Sequence, residues 1–411
     1  MNCVTKMVLL ARCRLVLIGL LALTILLFLG SLAGYAGEVR GVTDTHIKIA
    51  VIGDMTGPAA LQSINEIQSF RNYFKYVNDQ GGISGRKVKV VFEDDRYSIP
   101  AAISAFKKVV FRDRVLAMYG PSGAGHAFAL FPQIKKEKLP TIVWSPAEFL
   151  VSDYNRYIFN SIAVYEDGIK LAFDYVMQTL KAKAPTIAIV YPDNLWGKST
   201  REASIGYVGK FYKDKLKIYN VVLNMGEVDA SSQVLNMRRK KIDYVIIQEV
   251  IPQTVALLRA AKRYHFSPRL FIGTSMTCED EVVKLCGDMD SSLIAFHSMS
   301  AWNDDVTGVK SMKAITLKYQ PKIQNPTRLY THGFVSGTIL EEGMKRAGRD
   351  LNNETLVDAL EGITDFDTKG LCGYVGYSSQ SHKASDYCKF YKADGSKGTF
   401  IPITGWMKPK D

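Results

Sequence analysis

HIKIAVI (46–52) followed by GDMTGP (53–58) is the stretch on which the fold turns. Seven residues with apolar positions on both faces have the length and composition of a buried parallel strand, and the Gly/Pro-bearing loop has the composition of a sharp exit. Outward from it the same unit recurs. KVKVVF (87–92), VLAMY (115–119) and PTIVW (140–144) read as further buried strands, and 64–78, 99–112 and 124–138 carry apolar residues at helical spacing. A second series follows: TIAIVY (186–191), KIYNVVL (217–223), DYVIIQ (243–248) and RLFIG (269–273), again separated by helical segments. Alternating strands and helices predict α/β architecture with doubly wound parallel sheets, and two series predict two lobes. Helices are expected over 306–318, 329–347 and 352–361, then short strands around 370–378, 387–393 and 398–405.

The N-terminus points to export. Lys6, Arg12 and Arg14 precede an uncharged stretch, Leu15 to Gly37, whose core is dense in Leu, Ile and Val and ends in small residues. A basic region, an apolar run and a small-residue cleavage site near Ala36 are the parts of a secretory signal over residues 1–36. An uncleaved anchor is the alternative, because the run approaches the length of a bilayer span. Cleavage removes three basic residues, leaving 49 Lys+Arg against 40 Asp+Glu in about 375 residues, enough for two cores. The basic excess is scattered along the chain, and nothing resembles a nucleic-acid module.

Chemistry motifs are missing. GPSGAGH (120–126) lacks the GK[ST] ending of a phosphate loop and does not fit GxGxxG. The six histidines form no HExxH pair, so neither a metal site nor a cofactor is expected, and Ser145 stands before Pro146 with no GxSxG elbow. The chain reads as a binding protein and not an enzyme. Asp94-Asp95 follows a strand and is read as a turn element rather than a cation site. Of the cysteines beyond residue 36, Cys278 and Cys286 would stand about 12 Å apart on a helix, too far for a bridge. Cys372 and Cys388 flank a turn between expected strands and are predicted to pair.

Parallel sheets collect ligands beyond their C-terminal strand ends. The loops there are GDMTGP (53–58), GPSGAGH (120–126) and WSPAEF (144–149) in the first series. In the second they are YPDNLWG (191–197), QEVIP (248–252) and GTSMTCED (273–280). These place Trp144, Ser145 and Ser122 at one rim and Trp196 at the other.

GVTDTHIKIAVIGDMTGP (41–58), YVNDQGGISGRKVKVVFEDDRYSIPAA (76–102), PTIAIVYPDNLWGKS (185–199) and SHKASDYCKFYKADGSKGTFIPITGW (381–406) resemble, in order and spacing, leucine/isoleucine/valine-type periplasmic binding proteins, the solute-binding components of ABC importers. The resemblance implies the type I periplasmic-binding-protein fold, two Rossmann-like lobes joined by three hinge crossings. Residues 44–163 and 298–369 would form the N-terminal lobe, and 164–297 with 370–411 the C-terminal one. It implies a monomer in the periplasm that binds a small solute and docks on permease subunits. A sensory receptor of the same fold is the rival expectation.

Residue by residue, the family's amino-acid pocket is only partly matched. The carboxylate-binding positions fall on Gly123 and Ala124, which keep helix-start amides but lose a hydroxyl that Ser122 is a candidate to replace. A first-loop aromatic falls on Gln62, and a later Tyr position on Val250. The second-lobe aromatic is retained as Trp196. The acid that holds the ligand ammonium falls near Ser275 or Met276 and is missing, with Glu249 and Glu279 close in sequence. The expected solute is therefore a planar or aromatic organic anion, with a branched-chain or other amino acid as the alternative.

Overall fold

The computed structural model describes residues 39–286 and 292–410, so the signal-like segment 1–36 lies outside the described residues. β1 (His46–Gly53) lies between β2 (Lys87–Asp94) and β3 (Ala117–Tyr119), and β4 (Thr141–Ile142) and β5 (Ile158–Phe159) extend the row. The order is β2-β1-β3-β4-β5, with every pairing parallel. Parallel neighbours need crossovers, supplied by α1 (Ala60–Asp79), α2 (Ile99–Lys107) and α3 (Ala124–Glu137). They cover both faces, which is why Ile47, Ile49, Val51 and Ile52 are all buried. β2 departs from expectation: Lys87 and Lys89 are exposed because it is an edge strand, and charge there discourages pairing with another chain.

The second sheet contains β6 (Thr186–Tyr191), β7 (Lys217–Val222), β8 (Tyr244–Ile247), β9 (Leu270–Gly273), β10 (Leu293–His297), β11 (Lys389–Asp394) and β12 (Thr399–Pro402). Its order is β12-β11-β10-β9-β8-β6-β7, parallel except for the antiparallel β10-β11 and β11-β12 pairs. Its helices are α4 (Tyr165–Asp174), α5 (Leu195–Phe211), α6 (Ser231–Arg239), α7 (Ile251–Arg263) and α8 (Asp280–Cys286).

After β10 the chain returns to the first sheet through α9 (Thr307–Tyr319), α10 (Arg328–Ala347) and α11 (Asn353–Glu361). α10 runs beside α1, and Gly333 and Gly337 permit the approach: a Cβ would lie 2.3 Å from Glu66 O and 2.8 Å from the Tyr73 ring. The first core takes residues up to Val164 and again from Met299 to Ala384, while the cores of the second sheet begin at Ala163 and regain the chain at Cys388. The chain thus crosses between two lobes three times.

The tail differs from its reading. Residues 370–378 form no strand; Met299↔Cys372 and Phe366↔Val375 are isolated bridges, and Leu371, Val375 and Tyr377 sink into the first core. The expected Cys372–Cys388 disulfide is absent. Cys372 is buried in the first core and Cys388 in the second lobe, opposite Met407, and both are free thiols. The turn that was to bring them together spans two cores instead of one hairpin.

Candidate functional site

Each sheet reverses its winding at one point, between β1 and β3 in the first and between β6 and β8 in the second. Loops leave such a point in opposite directions and open a crevice, the standard ligand position in these sheets. In the first lobe, carboxylates tie the loops down. Buried Asp54 accepts Gly57 N–H and Ala59 N–H (2.7 Å for the latter), and Asp94 accepts Met55 N–H at 2.8 Å and the Thr56 hydroxyl at 2.6 Å. Asp95 accepts the backbone N–H and the hydroxyl of Ser122, at 3.0 and 2.7 Å. Asp94 and Asp95 are thus loop ties, as the turn reading has it. Among the described residues no group of three or more His, Cys, Asp or Glu side chains is placed to hold a metal.

Ser122 is consequently not a free replacement for the missing hydroxyl. Gly123 precedes α3 and Ala124 opens it, but the His126 ring folds over this start, so that a Cβ on Gly123 would lie 2.3 Å from its Nδ1. Gln62 falls in the first turn of α1. Trp144 is mostly lobe packing: its indole lies on Gly53, where a Cβ would come within 2.2 Å of Cη2, and edge-on to Tyr119 at 5.3 Å.

Tyr165, absent from the sequence candidates, draws the two rims together. It stands at a lobe crossing, on the first residue of α4, and its N–H donates to Pro146 O at 2.9 Å. Its hydroxyl lies 4.0 Å from Met276 Sδ, and its ring meets Trp196 edge-on at 5.9 Å. Burial holds this phenol protonated far above the ordinary tyrosine range. Pro146 from one lobe and Trp196 and Met276 from the other therefore meet around one residue. Trp196 occupies the second position of α5, whose start is capped by Asn194 accepting Gly197 N–H at 2.9 Å.

Unpartnered buried polar atoms occur in both lobes, Trp144 Nε1 and His126 Nδ1 among those of the first, and in the second several fall at strand ends. β8 and β9 are in register, Ile247 beside Gly273, so the residues that follow them are neighbours. Here Glu249, wholly buried just before Val250 and the start of α7, finds no hydrogen-bond partner for either carboxylate oxygen among the described residues. Gln248 Oε1, Thr274 Oγ1, Ser275 Oγ and Trp196 Nε1 are likewise buried and unpartnered. Burial, with the Glu227 charge nearby, pushes the Glu249 carboxyl up to about 8. Leaving a buried polar group unpaired costs about 1–3 kcal/mol, and more for a charged one. Glu249, Thr274 and Ser275 thus bring unpartnered polar atoms to adjacent strand ends. The family's acidic position falls near Ser275 or Met276, where this sequence has no acid, and Glu249, one of the two carboxylates close by in sequence, stands at the end of the neighbouring strand.

Two lobes with parallel sheets, crossed three times by the chain, have the architecture of the binding-protein class. A family model described as periplasmic binding protein matches residues 46–399, and the chain belongs to that family, whose members bind solutes and are not enzymes. It is 24% identical over 349 residues to the leucine-, isoleucine-, valine-, threonine- and alanine-binding protein of Pseudomonas aeruginosa, covering 84% of this chain and 89% of that protein. Against the Leu/Ile/Val-binding protein of Escherichia coli it is 25% identical, over 60% of this chain and 66% of the relative. Two solved structures share the fold. One is a branched chain amino acid ABC transporter protein from Thermus thermophilus with bound valine, with TM-score 0.78, 22% identity, and 88% and 97% of the two chains covered. The other is a fatty acid ABC transporter substrate-binding protein from Thermomonospora curvata, with TM-score 0.77, 19% identity, and 90% and 94% covered. One fold thus serves very different solutes.

Proposed function

We propose that this chain is the periplasmic receptor of an ABC importer, a monomer that captures an amine-bearing, amino-acid-like solute between its lobes and presents it to permease subunits. The observation that carries the reading is Glu249. A protonated nitrogen supplies the donors its carboxylate lacks, and a charge-assisted bond is about twice as strong as a neutral one. Trp196 and Tyr165 supply aromatic walls, and Ser275 and Thr274 add hydroxyls beside the acid. A nitrogen-free aromatic acid, the solute expected from the pocket's sequence, would leave Glu249 without a donor. The names of the relatives agree with the amine reading, since those from Pseudomonas and Escherichia are amino-acid binders. We place the lobe boundaries at 44–163 with 298–384 and at 164–297 with 385–411, following the two cores. Extraction of purified, undialysed protein from its native compartment, followed by mass spectrometry, tests the reading. It predicts a stoichiometric small molecule with a basic nitrogen. Recovery of a nitrogen-free acid at that stoichiometry would overturn it.

A further inference from the structure

A second set of unpaired groups lies where α10 begins. Arg328 is 2% exposed and heads the fully buried side chains by volume. Its Nη1 donates to the Cys278 carbonyl of the opposite lobe, and its guanidinium lies 4.6 Å over the Tyr391 ring. Nε and Nη2 have no hydrogen-bond partner among the described residues. Those two nitrogens share one edge of the guanidinium, the edge that takes both oxygens of a carboxylate or phosphate at once. Beside it, Thr327 precedes the helix without capping it, and its buried hydroxyl is also unpartnered. The positive end of the 20-residue α10 faces the same place.

A cavity of about 110 Å³ adjoins these donors, lined by Trp302, Asn325, Thr327 and Arg328 from one lobe and Ile251 and Glu279 from the other. A water's share of liquid volume is about 30 Å³, so a small oxyanion fits. Neighbouring carboxylates do not complete the fork. Asp280 accepts the Thr399 hydroxyl at 2.8 Å and Phe400 N–H at 3.2 Å, Glu281 is exposed at the mouth, and Glu279 and Asp304, whose charges both act on Arg328, make no hydrogen bond to its Nε or Nη2.

We infer that the Nε/Nη2 edge of Arg328, with the Thr327 hydroxyl, is an oxyanion subsite between the lobes that takes a carboxylate or a carboxylate-sized anion. Because Arg328 already reaches across to Cys278, an anion seated there fastens the two lobes through one guanidinium. The carboxylate is either the solute's own, in which case the inference rests on the proposed function, or a free anion, in which case it does not.

Acetate is the probe, titrated into the ligand-free protein lacking residues 1–36 and followed by calorimetry and thermal shift, against sodium chloride at equal ionic strength and neutral formamide. The expected result is a saturable acetate effect with none from formamide. It weakens at least about tenfold in Arg328→Lys, which keeps the charge and loses the fork, consistent with loss of one charge-assisted bond. Thr327→Val weakens it less, and Arg328→Gln abolishes it. Competition between acetate and an amine-bearing solute assigns the subsite to the solute's carboxylate, and additive binding assigns it to a separate anion. An acetate response no larger than that of chloride, or unchanged in Arg328→Lys, overturns the inference. Glu249→Gln separates the two proposals: it removes solute binding and leaves the acetate response intact.

Discussion

If Glu249 receives a protonated nitrogen, solute binding must release a proton. The buried carboxyl, pushed up to about 8, is roughly nine-tenths protonated at pH 7 in the empty receptor. Only the ionised form holds an ammonium, so the apparent dissociation constant is the intrinsic one divided by the ionised fraction. That fraction is about 1% at pH 6 and about one half at pH 8, so affinity should rise about fiftyfold across the interval. Calorimetry at pH 7 in two buffers of different ionisation enthalpy should report close to one proton released per solute. The linkage also acts on folding. A carboxyl whose folded value exceeds its unfolded one stabilises the empty protein fully below about 4.3, and that contribution fades as pH rises through about 8. The melting temperature of the empty receptor should therefore fall over that range, and Glu249→Gln should flatten the decline. Affinity independent of pH between 6 and 8, with no proton released, would refute the assignment of Glu249 as the ammonium partner.

Other outcomes follow from the packing. Gly53→Ala drives a methyl into the Trp144 indole, and overpacking of this kind costs about 1–3 kcal/mol; chemical denaturation should show the loss without a change in slope. Cys372 and Cys388 should each carry an alkylating label when protein from the native compartment is unfolded without reductant, and should resist labelling while folded. A linked 372–388 peptide would contradict the separation of their two cores.

Most strands of the two sheets were legible because central parallel strands are apolar on both faces, and TIAIVY needed no adjustment at either end, but β10 (Leu293–His297) went unread. β5, two residues of Ile158 and Phe159, was too short to carry a period. Residues 370–378 alternate like a strand, yet Gly373 and Gly376 pack against Tyr387 and the Thr364 carbonyl, contacts that no local pattern announces. Trp196 and Ser145 were assigned to the rims from loop position alone, and of the two the Trp196 ring lies 5.9 Å from that of Tyr165. What remained hidden was pairing at a distance. Ser122 looked free because Asp95, 27 residues earlier, gives no local sign of reaching it. Glu249 was named only as a carboxylate close to the position where the family's pattern puts its acid, and what sets it apart, burial with no hydrogen-bond partner among the described residues, is not displayed by a single sequence. Arg328 shows the same limit, since only the packing of the two lobes reveals that two of its three guanidinium nitrogens have no hydrogen-bond partner among the described residues.

The most direct test of the account is calorimetry of the ligand-free receptor against leucine, isoleucine, valine and other amine-bearing solutes beside benzoate- and cinnamate-type acids, in the native protein and in Glu249→Gln. The account predicts one-to-one binding by at least one amine-bearing solute, lost in Glu249→Gln, with no nitrogen-free acid binding comparably. Tight binding of an aromatic acid that survives Glu249→Gln, with every amine silent, would contradict it.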